Sequence, residues 1–263
     1  MGALAGLPTA ALGITAWLAA RRLTGRQPPD SLASPSDFGL AFENVSFRSS
    51  DGVILRGWFI PSPANRGAII LCPGHTGSMD PDLEYAPAFH ARGYHVLMFD
   101  FRGHGRSGGE QITLGYHERR DLLATIDFLR RRGVNSVGLL GFSMGANVAM
   151  ITAPLSPAVR AVVSDSGFAT LETSIAGWMR HKGAPALVAN ALGALSMYFA
   201  GLQIGHPISE VYPIRWVDLI APRGLFIVHG GRDVHAPASD AQALYERAGE
   251  PKEIWIQPDA GHR

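Results

Sequence analysis

The chain has 263 residues, which is enough for one large domain with a sizeable buried core. Its formal net charge is +1 and charged residues make up 17% of the sequence, so the composition gives no support for nucleic acid as a partner. The single cysteine, Cys72, excludes an intramolecular disulfide framework, and its position at the end of an apolar run indicates a buried apolar side chain.

The first twenty residues contain no charged side chain, and Arg21, Arg22 and Arg26 follow them. This length is just sufficient for a helix that crosses a bilayer. A cleaved signal peptide normally has its positive charges before the apolar run, not after it. We therefore predict a membrane anchor over residues 1–26, associated with the membrane through residues 1–20, and a globular domain on the cytoplasmic side. An uncleaved signal sequence and a cytoplasmic protein are the alternatives.

Residues 27–39 contain three prolines and no apolar periodicity, which predicts an extended linker. From residue 40 onwards the sequence alternates between strand-like and helical segments. Two strand-like runs, 40–49 and 53–60, are joined by a Ser-Asp-Gly turn and predict a β-hairpin. Further strands are predicted at 68–72, 94–99, 134–142, 158–164, 224–228 and 253–256, and helices at about 83–92, 116–132 and 237–248. This alternation predicts an α/β domain over residues 40–263, with a mostly parallel sheet and helices on both faces.

Residues 168–212 interrupt this alternation, because their pattern predicts helices without strands. Their side chains are more apolar than those of a helical insertion that is surrounded by water. We interpret this segment as a helical cap that covers one edge of the sheet.

The stretch Gly141-Phe142-Ser143-Met144-Gly145 lies where a strand-forming run gives way to a helix-forming run. A serine at the tip of such a tight turn projects above the C-terminal edge of a parallel sheet. Gly141 and Gly145 are small enough to let the strand and the helix pack closely. The helix that begins at Met144 directs its NH groups and the positive end of its dipole towards the same place. This pattern indicates a nucleophilic serine.

Two other loops at strand ends hold the groups that such a serine needs. Asp233 follows the strand at 224–228, and His262 follows the strand at 253–256. A serine hydroxyl is a poor nucleophile unless a base removes its proton, which His262 can do while Asp233 fixes the histidine tautomer. Asp165, at the end of the strand after Ser143, is the alternative acid. Asp100 and Arg102 lie in another glycine-rich turn, where we interpret them as partners of each other and of nearby backbone groups in a structural role.

These motifs resemble those of the α/β-hydrolase superfamily, in its branch of serine esterases, lipases and acyl-peptidase-like enzymes. The resemblance covers about residues 40–262. It is carried by GFSMG at 141–145, DFRGHGRS at 100–107, HGGRD at 229–233 and AGH at 260–262. It implies the α/β-hydrolase fold, with Ser143 as nucleophile, Asp233 as acid and His262 as base.

The resemblance also implies an oxyanion hole formed by the backbone NH groups of Met144 and His75, although Pro73 departs from the histidine that the family commonly has there. Family members continue into a final C-terminal helix, and the sequence given stops one residue after His262. We therefore expect the domain to lack that helix and His262 to be loosely held, which leaves the activity of this chain open.

The function that we predict is a serine hydrolase that cleaves an ester-type small molecule through an acyl-enzyme. The alternatives are an amidase, thioesterase or acyltransferase with the same triad, and an inactive ligand-binding protein on the same scaffold. The sequence contains no HExxH or CxxC motif and no GxGxxG after a strand, so we predict no metal and no other cofactor. His104, His229 and His235 fall in loops that face the predicted site. The sequence does not define the natural substrate or the oligomeric state.

Overall fold

A computed structural model of the chain describes the backbone of residues 2–30 and 33–262, and the side chains of residues 10–30 and 33–262. Its centre is an eight-stranded sheet with the order β1-β2-β4-β3-β5-β6-β7-β8. The strands are β1 Glu43–Arg48, β2 Ile54–Ile60, β3 Ala68–Cys72, β4 His95–Phe99, β5 Val137–Phe142, β6 Val159–Asp165, β7 Gly224–Gly230 and β8 Lys252–Gln257. β2 is antiparallel to β1 and to β4, and all other neighbours are parallel. The predicted hairpin and the mostly parallel sheet are confirmed.

Seven α-helices lie in the part of the chain that the structure describes. They are α1 Gly2–Thr24, α2 Ala86–Ala91, α3 Glu118–Arg131, α4 Met144–Thr152, α5 Leu171–His181, α6 Ala186–Ile204 and α7 Ala238–Arg247. The helix predicted at 83–92 is instead a 3₁₀ segment, Asp80–Tyr85, followed by α2. Pro81 and Pro87 explain the division, because proline lacks an NH donor and is best accommodated in the first turn of a helical segment.

The centre of the sheet is buried on both faces, as β4 shows. Val96 and Met98 belong to one apolar cluster, which includes residues of α2, whereas Leu97 and Phe99 belong to a larger cluster with residues of α3 and α4. Successive side chains of a strand point to opposite faces, so the two clusters lie on opposite sides of the sheet. This burial explains why β4 is a continuous apolar run.

The N-terminal helix α1 packs against α6, within the segment predicted as a cap. Ala16 and Ala20 of α1 are fully buried, and the hydroxyl of Thr24 donates a hydrogen bond to Oε1 of Gln203 at 2.8 Å. By length and composition, one helix among the described residues, α6, could cross a membrane. The side chains of residues 1–9, at the start of the predicted anchor, lie outside the described part of the chain.

The chain that follows α1 lies against the loop after β4. The guanidinium of Arg26 donates to the carbonyl oxygens of Gly105, Ser107 and Gly109 at 2.6–3.0 Å. The NH of Gln27 donates to the carbonyl of Gly103 at 2.8 Å. Residues 27–30 of the segment predicted as a linker are therefore close to the domain, while residues 31 and 32 of that segment lie outside the described residues.

Candidate active site

Ser143 occupies the turn between β5 and α4 in a strained backbone conformation, with φ +52° and ψ −114°. A residue other than glycine rarely adopts a positive φ unless its surroundings impose it. A side chain at position 145 would clash with the carbonyl oxygen of Cys72, and one at position 141 would clash with the carbonyl oxygen of Gly145. The close approach of strand, helix and the loop after β3 thus depends on both glycines.

A continuous chain of hydrogen bonds joins the three residues predicted as a triad. The Ser143 hydroxyl lies 3.0 Å from Nε2 of His262, and Nδ1 of His262 lies 2.7 Å from Oδ2 of Asp233. Asp233 is buried, whereas Ser143 and His262 are half-buried. The three parallel strands β5, β7 and β8 bring together residues that are up to 119 positions apart in the sequence.

The surroundings of Asp233 keep it ionised. Burial alone would raise the pKa of its carboxyl group, but hydrogen bonds from His262 and from the backbone NH groups of Ala236 and His235 outweigh burial, so the pKa lies below its usual value. An ionised carboxylate only accepts hydrogen bonds, so the hydrogen of the neutral His262 ring must be on Nδ1. The lone pair on Nε2 then faces the Ser143 hydroxyl, which is the arrangement that a general base requires.

Backbone contacts hold the loop that carries His262. The NH of Arg232 donates to the carbonyl of Ala260 at 2.8 Å. A side chain at position 230 would clash with the carbonyl oxygens of Gly261 and Ala260, so the two loops are in close contact. The loop that carries His262 therefore has backbone contacts on the β7 side, and the expectation that His262 is loosely held stays a prediction.

Asp165, the alternative acid, is not joined to the histidine. It ends β6 and accepts a hydrogen bond from the hydroxyl of its neighbour Ser166 at 2.9 Å. Within the described residues it has no hydrogen bond to His262. The geometry therefore favours Asp233 over Asp165 as the partner of His262.

The loop after β3 brings the predicted second oxyanion donor close to Ser143. A Cβ atom built on Gly74 would lie 3.8 Å from Cβ of Ser143, and His75 is the next residue. The NH of Met144 is in the first turn of α4, where helical NH groups have no partner within the helix. The loop after β3 thus passes beside Ser143, and the role of the His75 and Met144 NH groups as an oxyanion hole stays a prediction.

Two contacts fix the His75 loop, and local sequence patterns indicate neither of them. Nε2 of His75 lies 2.6 Å from the carbonyl oxygen of Leu23 in the last turn of α1. Burial lowers the pKa of His75 to about 4, so at neutral pH the uncharged ring donates this hydrogen bond through Nε2. On the other side, Nε2 of His104 lies 2.8 Å from the carbonyl oxygen of His75. The sequence predicted that His104 lies in a loop that faces the site. It did not indicate the contact with His75, which is 29 positions away.

The predicted pairing of Asp100 with Arg102 is wrong. Asp100 accepts a hydrogen bond from the backbone NH of Arg106 at 2.7 Å. Arg102 instead forms ion pairs with Asp51 at 2.7 Å and with Asp121 at 2.6 Å. The hairpin turn and α3 supply these two carboxylates, so the arginine ties the loop after β4 to both elements. No group of three metal-ligating side chains was found among the described residues.

The fold and the arrangement of the site define the chain as an α/β hydrolase of the serine type. Residues 63–221 match the family described as serine aminopeptidase, S33, and the chain belongs to that family. It is 30% identical to the uncharacterized protein YqkD of Bacillus subtilis over 219 residues, which are 81% of this chain and 70% of YqkD.

Two further similarities extend over most of the chain. It is 30% identical to the uncharacterized protein YfhR of Escherichia coli K12 over 246 residues, which are 89% of this chain and 78% of YfhR. Among solved structures it is similar to the Pyrococcus furiosus esterase Pf2001, with a TM-score of 0.74, 29% identity and 90% coverage of each chain. The comparisons thus support a hydrolase, and the neighbour in structure is an esterase.

Proposed function

We propose that the chain is a carboxylic-ester hydrolase in which Ser143, His262 and Asp233 are the catalytic triad. The observation that carries this proposal is the hydrogen-bond chain from the Ser143 hydroxyl through both ring nitrogens of His262 to the buried Asp233. The similarity to an esterase structure supports the choice of an ester as substrate.

In the proposed reaction, Oγ of Ser143 attacks the ester carbonyl carbon while Nε2 of His262 takes the hydroxyl proton. The carbonyl π electrons move to the oxygen, and the NH groups of Met144 and His75 stabilise the resulting oxyanion. The intermediate collapses when the C–O bond to the alcohol breaks, and the leaving oxygen takes the proton from His262. Water then attacks the acyl-enzyme with His262 again as base, which releases the carboxylic acid and restores Ser143.

Amide hydrolysis is the alternative, because the family description names serine aminopeptidases. Esters and amides use the same triad and differ in how basic the leaving group is, so the geometry of the three residues does not separate them. A matched pair of substrates with the same acyl group, one a p-nitrophenyl ester and one a p-nitroanilide, distinguishes the two activities. We expect the ester to be hydrolysed and the anilide to show no detectable cleavage, because an amidase cleaves both substrates.

The test is covalent labelling of the full chain by a fluorophosphonate probe, combined with hydrolysis of p-nitrophenyl esters. We expect Ser143→Ala to abolish labelling and to lower kcat by at least about 1,000-fold, because the nucleophile is gone. Ser166→Ala is the matched control, since Ser166 follows β6 as Ser143 follows β5 and also has a positive φ of +55°. Labelling that persists in Ser143→Ala, or a chain that neither labels nor hydrolyses esters, would overturn the proposal.

A further inference from the structure

Exposed apolar side chains are concentrated on three helices. Within the part of the chain whose side chains are described, twelve large hydrophobic residues are exposed, and eight of them lie on α1, α5 and α6. These eight are Ile14, Trp17, Leu18, Trp178, Leu187, Val188, Tyr198 and Leu202. Scattered exposed apolar residues are ordinary, whereas a concentration on neighbouring helices marks an interaction surface.

On α1 the exposed residues form one stripe. Ile14, Trp17 and Leu18 are spaced three and four positions apart, which places them on the same side of the helix. The next position on that stripe is Arg21, which is exposed and basic. Leu23 packs against the core, but over residues 14–20 the large apolar side chains point outwards and the small residue Ala20 is fully buried. This is the reverse of the pattern in a surface helix of a water-soluble protein.

A second stripe runs along α6. Leu187, Ala194, Tyr198 and Leu202 are exposed and lie at helical spacing on one face. The nineteen residues of α6 include no charged side chain. Because α1 packs against α6 and Thr24 is hydrogen-bonded to Gln203, the two helices lie side by side. We call the exposed sides of α1 and α6 the helical face.

The two helices of the helical face carry only positive charges. Glu110 lines a pocket together with Trp17 and Arg21, and Glu172 lines a second pocket beside α6. Neither α1 nor α6 contains an aspartate or a glutamate, and the charged residues of the two helices are Arg21 and Arg22. The Arg21 guanidinium lies 5.0 Å from the ring centre of Trp17. Just after α5, the Lys182 ammonium lies 5.9 Å from the ring centre of Trp178. Tryptophan next to a basic residue is typical of the boundary between a bilayer and water.

We propose that the helical face binds the surface of a bilayer that contains anionic phospholipid. The apolar stripes enter the boundary between headgroups and acyl chains, and Arg21 and Arg22 contact the negatively charged headgroups. Both helices lie in the plane of the membrane. The opposite side of α6 packs against the rest of the protein through buried residues such as Leu192, Met197 and Ala200, which a membrane-spanning α6 would have to leave.

The lipid proposal is independent of the proposed function, since it rests on no residue of the triad. Its test is flotation of the full chain with two kinds of vesicle in a buffer of about 0.15 M salt. One kind contains phosphatidylcholine alone, and the other also contains about 30% of the anionic lipid phosphatidylglycerol. We expect binding to the anionic vesicles, and release of the bound protein when these are washed at alkaline pH, which leaves membrane-spanning helices in place.

Two double variants and one matched control give the test its specificity. Leu18→Glu with Leu202→Glu places charges on the helical face, and we expect binding to fall at least about tenfold. Arg21→Gln with Arg22→Gln lowers the preference for anionic vesicles by about tenfold. Leu155→Glu with Leu219→Glu makes the same chemical change at two exposed leucines outside the three helices, and binding stays as in the unmodified chain. Circular dichroism and thermal unfolding confirm that each variant is folded.

Three outcomes would overturn the proposal. The first is no binding to anionic vesicles by the unmodified chain. The second is equal loss of binding in the helical-face variant and in its matched control, both folded. The third is that the unmodified chain forms a dimer in solution and binds no vesicles, while the Leu18→Glu/Leu202→Glu variant is a monomer. The helical face would then contact a second copy of the protein.

Discussion

Ser143 carries the backbone strain of the site, since a positive φ at a residue other than glycine costs on the order of 1–3 kcal/mol. The conformation persists because β5, α4 and the loop after β3 pack closely around the turn. Gly145 makes that packing possible, as a side chain there would overlap a backbone carbonyl oxygen of Cys72. Strain at the serine and the absence of a side chain at Gly145 are therefore two parts of one arrangement.

We predict that Gly145→Ala lowers the free energy of unfolding by at least about 2 kcal/mol, because the clash is with backbone and can be relieved only by moving β3 or α4. Urea denaturation measures this change. Gly13→Ala is the matched control, because a side chain at position 13 meets no atom of the described residues within 4 Å. Alanine favours the helix, so the free energy of unfolding of Gly13→Ala rises by up to about 1 kcal/mol. An equal, small effect of the two substitutions would contradict the argument.

In the proposed reaction, Asp233 acts through the tautomer of His262. In Asp233→Asn the new amide nitrogen donates to Nδ1, so the ring hydrogen moves to Nε2 and the lone pair no longer faces Ser143. We predict that kcat for ester hydrolysis falls about 1,000- to 10,000-fold while the fold is retained.

Asp165→Asn is the matched control for Asp233→Asn, because it changes the alternative acid in the same way. We expect the activity of Asp165→Asn to stay within about threefold of that of the unmodified chain, because Asp165 has no hydrogen bond to His262. The reverse order of the two variants would assign the role to Asp165. Kinetics on a single ester at several pH values measure both.

At the scale of elements, hydrophobic periodicity predicted all eight strands that the structure describes. Their bounds lie within three residues of the predicted runs, because the central strands are apolar along their whole length and the edge strands β1 and β8 alternate. The parallel order then places the ends of β5, β7 and β8 at one edge, so the sequence predicts that Ser143, Asp233 and His262 lie close together, and their hydrogen bonds confirm this proximity.

Contacts between distant elements could not be predicted in this way. The carbonyl of Leu23 meets the ring of His75, and Arg102 meets Asp51 and Asp121 rather than the nearby Asp100. Each of these pairs depends on how two elements are placed relative to each other in the fold. The sequence offers each arginine many carboxylates and each histidine many carbonyl groups, so it does not indicate which of them is the partner. The packing of α1 on α6 is a further example, because both helices are apolar and uncharged over most of their length.

At the scale of the whole molecule, the pKa values of several histidines are lower in the folded chain than in the unfolded chain. Burial lowers the pKa of His75 and of His117 to about 4, with the charges of Arg102 and Arg120 adding to the effect at His117. Burial also lowers the pKa of His95, His104 and His235. In the opposite direction, burial raises the pKa of Asp100, and that of Asp121 to about 6. The histidines are more numerous, so they set the sign of the pH dependence.

An unfolded histidine has a pKa of about 6.5, so between pH 6.5 and 4 the unfolded chain binds protons that the folded chain excludes. The free energy of unfolding must therefore decrease as the pH falls through this window. We predict that it is lower at pH 5 than at pH 7.5 by at least about 1 kcal/mol, as measured by urea denaturation. His117→Gln should make this decrease smaller, because the unfolded variant lacks one histidine that binds a proton only in the unfolded state. A free energy of unfolding that rises from pH 7.5 towards pH 5 would show that the buried carboxyl groups outweigh the histidines.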